Sequence, residues 1–266
     1  MTASFSNFDP DPGLNPVTAL RVSVQARDQE TPMHSHRSGQ FILALSGALS
    51  CQVPGFLWIV PPACAVWIPE DVLHSTRATL NANVCFLFVK PGAAVLPESP
   101  CTVEITPMVR EMILHLADEQ DVESVADAST GRLMQVLLEQ LEAMPRTRFG
   151  LPVSLHPKLK AIVETLTNNP ADRSTLTQWA VRAAMSERTL ARLIIRETGM
   201  TFGRWRQQLR ILISLRQLAE GKTVLQVSDD LGYVSTTAFI TMFKKALGTT
   251  PGRYFFMGDT AGKNDK

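Results

Sequence analysis

The chain has 266 residues, 45% hydrophobic and 19% charged, a length that suggests two domains and a composition that excludes a disordered chain. The formal net charge of +1 hides a division: residues 1–156 hold 9 basic and 16 acidic side chains, net −7, whereas residues 157–266 hold 17 basic and 9 acidic, net +8. Such a split points to a polyanionic partner for the second half alone, with solvent-facing decoration as the plainer reading.

The N-terminal residues carry Asp9 and Asp11 without a basic region or a continuous apolar stretch. No secretory leader is therefore expected, and the cytoplasm is the expected location. Between Arg37 and Glu70 no charged residue occurs, but Gly47, Pro54, Gly55, Pro61 and Pro62 interrupt the stretch. That pattern excludes a membrane-spanning helix and fits short strands between turns. Strands are expected at Leu20–Ala26, Phe41–Leu45, Phe56–Val60, Ala65–Ile68, Leu73–Ala78 and Val84–Val89, together a small barrel or sandwich. Cys51, Cys64, Cys85 and Cys101 have no CxxC spacing and sit in apolar surroundings, which fits reduced, buried thiols better than a zinc or disulfide framework.

Two amphipathic helices follow, Thr106–Glu119 with Val109, Ile113 and Leu116 on one face, and Gly131–Met144 with Leu133, Val136, Leu137 and Leu141. Their stripes suit a homodimer interface or packing on their own barrel. Met144–Pro157, with three prolines and a glycine, reads as a linker. Beyond Pro157 the chain reads as helical throughout, with segments at Lys158–Leu166, Leu176–Ala184, Glu187–Glu197, Phe202–Leu218, Val224–Leu231 and Thr236–Leu247, and a short one after Pro251. The fold class is therefore α+β with two domains, a small β-barrel with two helices and an all-α domain. The expected boundaries are 1–100 for a sensor domain, 101–145 for a helical dimerisation region, 146–156 for the linker and 157–258 for the helical domain.

Within the helical domain one pattern occurs twice. Leu176–Ala184 leads through a short turn to Ser186 and the helix at Glu187, and Val224–Leu231 leads through Gly232-Tyr233-Val234 to Ser235 and the helix at Thr236. Both serines are placed to cap the free backbone amides of the next helix, and Gly232 stands where a left-handed residue ends a helix. In the first unit Leu190, Leu193 and Ile194 form a buried stripe while Arg188, Arg192 and Arg196 recur every four residues on another face, with Thr189 beside them. In the second, Phe239, Met242 and Phe243 point inward, and Thr236, Thr237, Thr241, Lys244 and Lys245 outward. Arginine forks match guanine edges and phosphates, so such faces suit a major groove. The bridging segment Thr201–Ala219 spans ~28 Å as a helix, near the ~34 Å repeat of B-DNA, so both second helices are expected to enter successive major grooves.

Ser186–Thr201 (SERTLARLIIRETGMT) and Val224–Tyr254 (VLQVSDDLGYVSTTAFITMFKKALGTTPGRY) resemble the DNA-binding domain of the AraC/XylS transcriptional regulators over about Pro157–Phe256. The resemblance implies a double-stranded operator as partner, read by outward residues near the helix N-termini, here Arg188 and Arg192, then Thr236, Thr237 and Thr241. Many members carry arginine where Thr241 stands, so weaker base reading by the second unit is implied, with Lys244 and Lys245 on phosphates. RNA polymerase is a further implied partner if the protein activates.

In the acidic half His34 and His36 alternate onto one side of a strand-like segment, Gln40 follows, and His74 lies near the end of the barrel stretch. Three converging imidazoles suit a divalent transition metal; isolated histidines are commonly surface or core residues, so spacing leaves both readings open. His34-Ser35-His36, Gln40 and Gly47, then Pro69 and His74, resemble the two cupin motifs over about residues 20–90. Gln40 stands at the usual Glu, Asp71 at the usual Gly and Ala78 at the usual Asn. Phe41, Trp58 and Trp67 are candidate pocket walls, with core packing as their plainer role. The combined expectation is a DNA-binding regulator whose cupin-like domain senses a metal or small molecule. The alternative is a metal-dependent cupin enzyme with an accessory helical domain, against which Gln40 argues by removing the anionic ligand.

Overall fold

A computed structural model describes residues 11, 15–24, 30–60, 64–79, 82–118, 127–147, 150–154 and 156–254. The chain forms two compact units, the first spanning residues 1–53 and 58–150 and the second residues 54–57 and 151–266. Expected features at Ala26, Glu119 and Phe256 lie outside the described residues.

In the first unit β1 (Val17–Ser23), β3 (Gly39–Ser46), β6 (Cys64–Ile68), β8 (Asn83–Val89), β9 (Cys101–Glu104) and β10 (Arg146–Thr147) make an antiparallel sheet in the order β1-β8-β3-β6-β9-β10. A second sheet runs β2 (Glu30–His34), β7 (His74–Ala78), β4 (Leu49–Val53), β5 (Phe56–Ile59). Alternation along each strand builds two cores. Ile42, Val66, Ile68, Val84, Phe86 and Phe88 face the second sheet and meet Leu49, Cys51, Val53 and Trp58. Their neighbours Phe41, Leu43, Ala65, Trp67, Cys85, Leu87 and Val89 face the other way. That outer layer is covered by α1 (Pro107–Asp118) and α2 (Ala128–Ala143), through Val109, Ile113 and Leu116 of α1 and Met134, Leu137, Leu138 and Leu141 of α2. Strands buried on both faces lose their polar alternation, which is why β3, β6 and β8 read as continuous apolar runs.

These contacts match one of the two uses expected of the helices, packing on their own barrel. The α1 stripe is buried against the chain's own sheet, and Val136, placed on the α2 stripe by periodicity, is 44% exposed. Cys101–Glu104, assigned to a helical region, is a strand, and the expected linker contains β10 and β11 (Leu151–Pro152). In the second unit β11 pairs with the 56–57 segment, Leu151 opposite Leu57 and Pro152 opposite Phe56.

The second unit holds α3 (Pro157–Asn168), α4 (Leu176–Arg182), α5 (Glu187–Thr198), α6 (Phe202–Ala219), α7 (Val224–Asp230) and α8 (Thr236–Leu247), with a last turn at 251–254. Thr175 and Thr223 cap α4 and α7 in reciprocal capping boxes with Gln178 and Gln226, each satisfying backbone amides that a helix start leaves free. Ser186 and Ser235 cap α5 and α8 by accepting from the amides of Thr189 and Ala238. The turns repeat 48 residues apart: the amides of Ala184 and Met185 donate to Val181 and Ala180, those of Gly232 and Tyr233 to Asp229 and Ser228.

Helix α6 packs on α5 and on α7, burying Trp205, Leu209, Leu212 and Leu215. Its arginines brace the α3–α4 connection: Arg206 donates to the Ser174 carbonyl at 2.9 Å, and Arg210 to Pro170 and Asp172 at 3.3 Å while lying 5.7 Å from the Tyr233 ring. Arg173 of the same connection donates to the Gly232 carbonyl at 2.8 Å. The two helix-turn-helix units are thus joined by a polar brace as well as by α6. No helix among the described residues is long and apolar enough to cross a membrane.

Candidate nucleic-acid interface and histidine cluster

On α5 the buried stripe of Leu190, Leu193 and Ile194 turns Arg188 and Arg192 outward. Neither guanidinium has an ion-pair partner among the described residues. Arg196 differs: both Nε and Nη2 donate to Glu197 Oε1, at 3.1 and 3.0 Å. Arg196 therefore differs from Arg188 and Arg192 in having an ion-pair partner, although its side chain stays exposed. Thr189 is committed to the cap, its hydroxyl 2.7 Å from that of Ser186. On α8, Phe239 and Phe243 are buried and Met242 only half so, while Thr237, Thr241, Lys244 and Lys245 are exposed and Thr236 is half-buried. The Thr241 hydroxyl donates back to the Thr237 carbonyl at 2.9 Å, which leaves it only acceptor capacity toward a ligand. Arg204, exposed in the first turn of α6 and without a side-chain partner among the described residues, was not anticipated. Its signal was present in the sequence, a cation three residues past the α6 cap Thr201, but no periodicity marked it.

In the first unit His34 and His74 face each other across β2 and β7. The possible ligand nitrogens of His34, His36 and His74 lie within 4.8 Å of one another, with ring centroids 4.4–5.8 Å apart. Each Nδ1–H faces a backbone carbonyl: Pro32 at 2.8 Å for His34, Ser38 at 2.6 Å for His36 and Val72 at 2.9 Å for His74. Those bonds select the tautomer whose Nε2 carries a lone pair. His36 Nε2 is 3.3 Å from Gln40 Oε1, and His74 Nε2 is buried without a hydrogen-bond partner among the described residues. Burial lowers the pKa of His36 and brings that of His74 down to about 4, with the neighbouring imidazoles pushing the same way. His36 and His74 are therefore neutral near pH 7.

The loop leading to His74 meets a backbone demand despite its unusual residue. Asp71 holds φ 59°, a left-handed conformation that favours glycine but that aspartate tolerates, and its amide donates to the His36 carbonyl at 2.9 Å. Asp11 accepts from the amides of Arg37 and Ser38 at 3.1 and 2.9 Å and from the Ser38 hydroxyl at 2.8 Å, fixing the turn whose Ser38 carbonyl orients His36. The expected aromatic pocket is not formed as one wall. Phe41 and Trp67 stack at 4.5 Å in the helix-facing core, whereas Trp58 lies in the core between the sheets. Phe41 and Trp67 share the outer face of the six-stranded sheet, whereas Trp58 comes from β5 of the other sheet.

Paired helix-turn-helix units with outward cations, following a β-sheet unit, define a transcriptional regulator that binds DNA. The helix-turn-helix domain family matches residues 179–256. The HTH-type transcriptional regulator NimR of Escherichia coli K12 is 47% identical over 251 residues, covering 94% of this chain and 92% of its own length. RclR of the same organism, named as an RCS-specific transcriptional activator, is 23% identical over 229 residues, 78% of this chain and 81% of its own. Among solved structures, the DNA-binding domain of AdpA in complex with a target DNA is 24% identical and covers 40% of this chain and 96% of its own, with a TM-score of 0.36. The chain belongs to the AraC-type family of helix-turn-helix transcriptional regulators.

Proposed function

We propose that this regulator senses a first-row divalent transition metal in its N-terminal unit and reads its operator with α5 and α8. The observation that carries the sensing half is the shared tautomer of three imidazoles. All three Nδ1 atoms are held by carbonyls, which leaves the Nε2 atoms as the ligand candidates; the possible ligand nitrogens lie within 4.8 Å of one another, and His36 Nε2 is also 3.3 Å from Gln40 Oε1. Second-sphere bonds of this kind orient metal-binding histidines and raise their basicity. The residues fit the ion: His34, His36 and His74 would hold it through Nε2, with the Gln40 amide oxygen as a fourth donor. An all-neutral donor set suits Zn, Ni, Cu or Fe(II). It also lacks the carboxylate of the enzyme alternative, and the relatives are named as regulators. Bound there, the ion would cross-link β2, the 36–40 segment and β7. Regulation follows only if the loaded unit favours one domain arrangement over another, since equal affinity shifts nothing.

In the DNA-binding unit Arg188, Arg192, Thr236 and Thr237 would contact base edges, and Lys244, Lys245 and Arg204 phosphates. Elemental analysis of protein purified without a tag tests the sensing half. About one metal per chain, lost in His74→Ala, is expected; a ratio near zero that added Zn, Ni, Cu or Fe salts do not raise would overturn it.

A further inference from the structure

A second site lies in the first unit, on the opposite side of the six-stranded sheet from the histidine cluster. Residues 90–98, between β8 and β9, border with the sheet a half-open pocket of about 310 Å³. This is the lower end of the ~300–1,000 Å³ range of small-molecule sites. Its apolar wall includes Trp67, Val89 and Leu96.

The wall is built rather than left over. A Cβ at Gly39 would fall 2.0 Å from the Trp67 ring, so only glycine lets the indole lie on β3. The same indole donates its Nε1–H to the Pro97 carbonyl at 2.8 Å, and the Val95 amide donates to the Glu142 carboxylate of α2 at 2.6 Å. Two bonds therefore fix the segment, one to the sheet residue Trp67 and one to α2. With its N–H engaged, Trp67 offers the cavity only apolar surface.

The polar side chains lining the cavity are Glu70, Glu98 and Lys90. Both carboxylates are exposed and have no hydrogen-bond or ion-pair partner among the described residues. One formal negative charge in excess, above an apolar floor, is complementary to a compact ring system bearing an amine. We propose that this cavity is a binding site for a small organic cation, an aromatic or alicyclic amine of one or two rings, independent of the histidine cluster. The site also borders that cluster through the backbone. Gly39 adjoins Ser38 and Gln40, and Glu70 adjoins Asp71, whose amide is bonded to His36. An occupant would hold the two segments that position His36 and His74.

Isothermal titration of the full-length protein with tryptamine, indole and indole-3-propionate tests the proposal, because the three share a ring and differ in charge. The expected result is saturable one-to-one binding of tryptamine, at least tenfold tighter than indole and with no binding of the propionate. Affinity should fall at least tenfold in Glu70→Gln/Glu98→Gln, which alters only exposed side chains, and remain in His74→Ala. No binding of any probe, equal affinity for all three, unchanged affinity in the double variant, or loss only in His74→Ala would each overturn it.

Discussion

Arg192 and Arg196 occupy equivalent positions one turn apart on α5, yet only the first is free, because Glu197 forks the second. Arg192→Ala is expected to relax base preference at one operator position, at a cost of about 1–3 kcal/mol, whereas Arg196→Ala leaves that preference intact. Lys244→Ala should weaken specific and random duplexes alike and lower the salt dependence of binding by about one phosphate contact. Binding titrations at several salt concentrations separate these outcomes, and equal loss on specific and random DNA in Arg192→Ala would reject its reading role. The histidines carry a pH signature. His74 ionises at about 4 in the fold against ~6.5 unfolded, so the unfolded state binds more protons in between. Stability of the metal-free protein is complete above pH 6.5 and falls as the pH drops toward 4, by about 2 kcal/mol between pH 7 and pH 5. Urea titrations with a chelator present measure it, and His74→Phe should flatten the dependence. The thiols have no such role: burial pushes Cys51 and Cys85 up to about 12 and Cys64 to about 11. Folded protein at pH 8 should therefore resist iodoacetamide at these three positions.

The 48-residue repeat makes two turns comparable at the scale of elements. Ala184 and Gly232 stand at the same place, and both are left-handed, at φ 50° and 72°. An L side chain is strained there, so Ala184→Gly should stabilise the helical unit by up to about 1 kcal/mol, after the greater freedom of glycine in the unfolded chain is deducted. Gly232→Ala should destabilise it by about 1–3 kcal/mol, because its Cβ would also lie 3.0 Å from the Ala171 backbone. Thermal unfolding of both variants checks the opposite signs. The sequence made the helices of this unit legible, since caps, apolar period and turn residues agree; α8 ends where its Ser235 and Gly248 punctuation places it. Legibility was poorer in the sheets. β4 carries a plain alternation in Leu49, Cys51 and Val53 that was overlooked, whereas β2 holds Pro32 and no buried residue and gives no apolar signal. The histidine cluster was legible as residues but not as a site. Its convergence depends on the cross-strand register of β2 and β7, and its tautomers depend on carbonyls of Pro32, Ser38 and Val72 that no spacing marks.

At the scale of the molecule, the charge split places eight net positive charges in residues 157–266, but several of these cations are engaged within the unit. Arg182, Arg216 and Lys222 pair with Asp172, Glu220 and Asp230, and Arg173, Arg206 and Arg210 brace the turns. Arg188, Arg192, Arg204, Lys244 and Lys245 on α5, α8 and the start of α6 remain unpaired among the described residues, as do Lys158 and Lys160 of α3 and Arg253. Helix α6 has 18 residues, ~27 Å at 1.5 Å per residue; under the proposed reading by α5 and α8 it is the rigid spacer between them, to be compared with the ~34 Å duplex repeat. Dimethyl sulfate interference on the operator tests this most directly, since methylation at guanine N7 blocks the major groove. Two patches ~10 base pairs apart on one face of the duplex are predicted, with Arg192→Ala erasing interference in one patch and leaving the other. A single patch, or two on opposite faces, would contradict it.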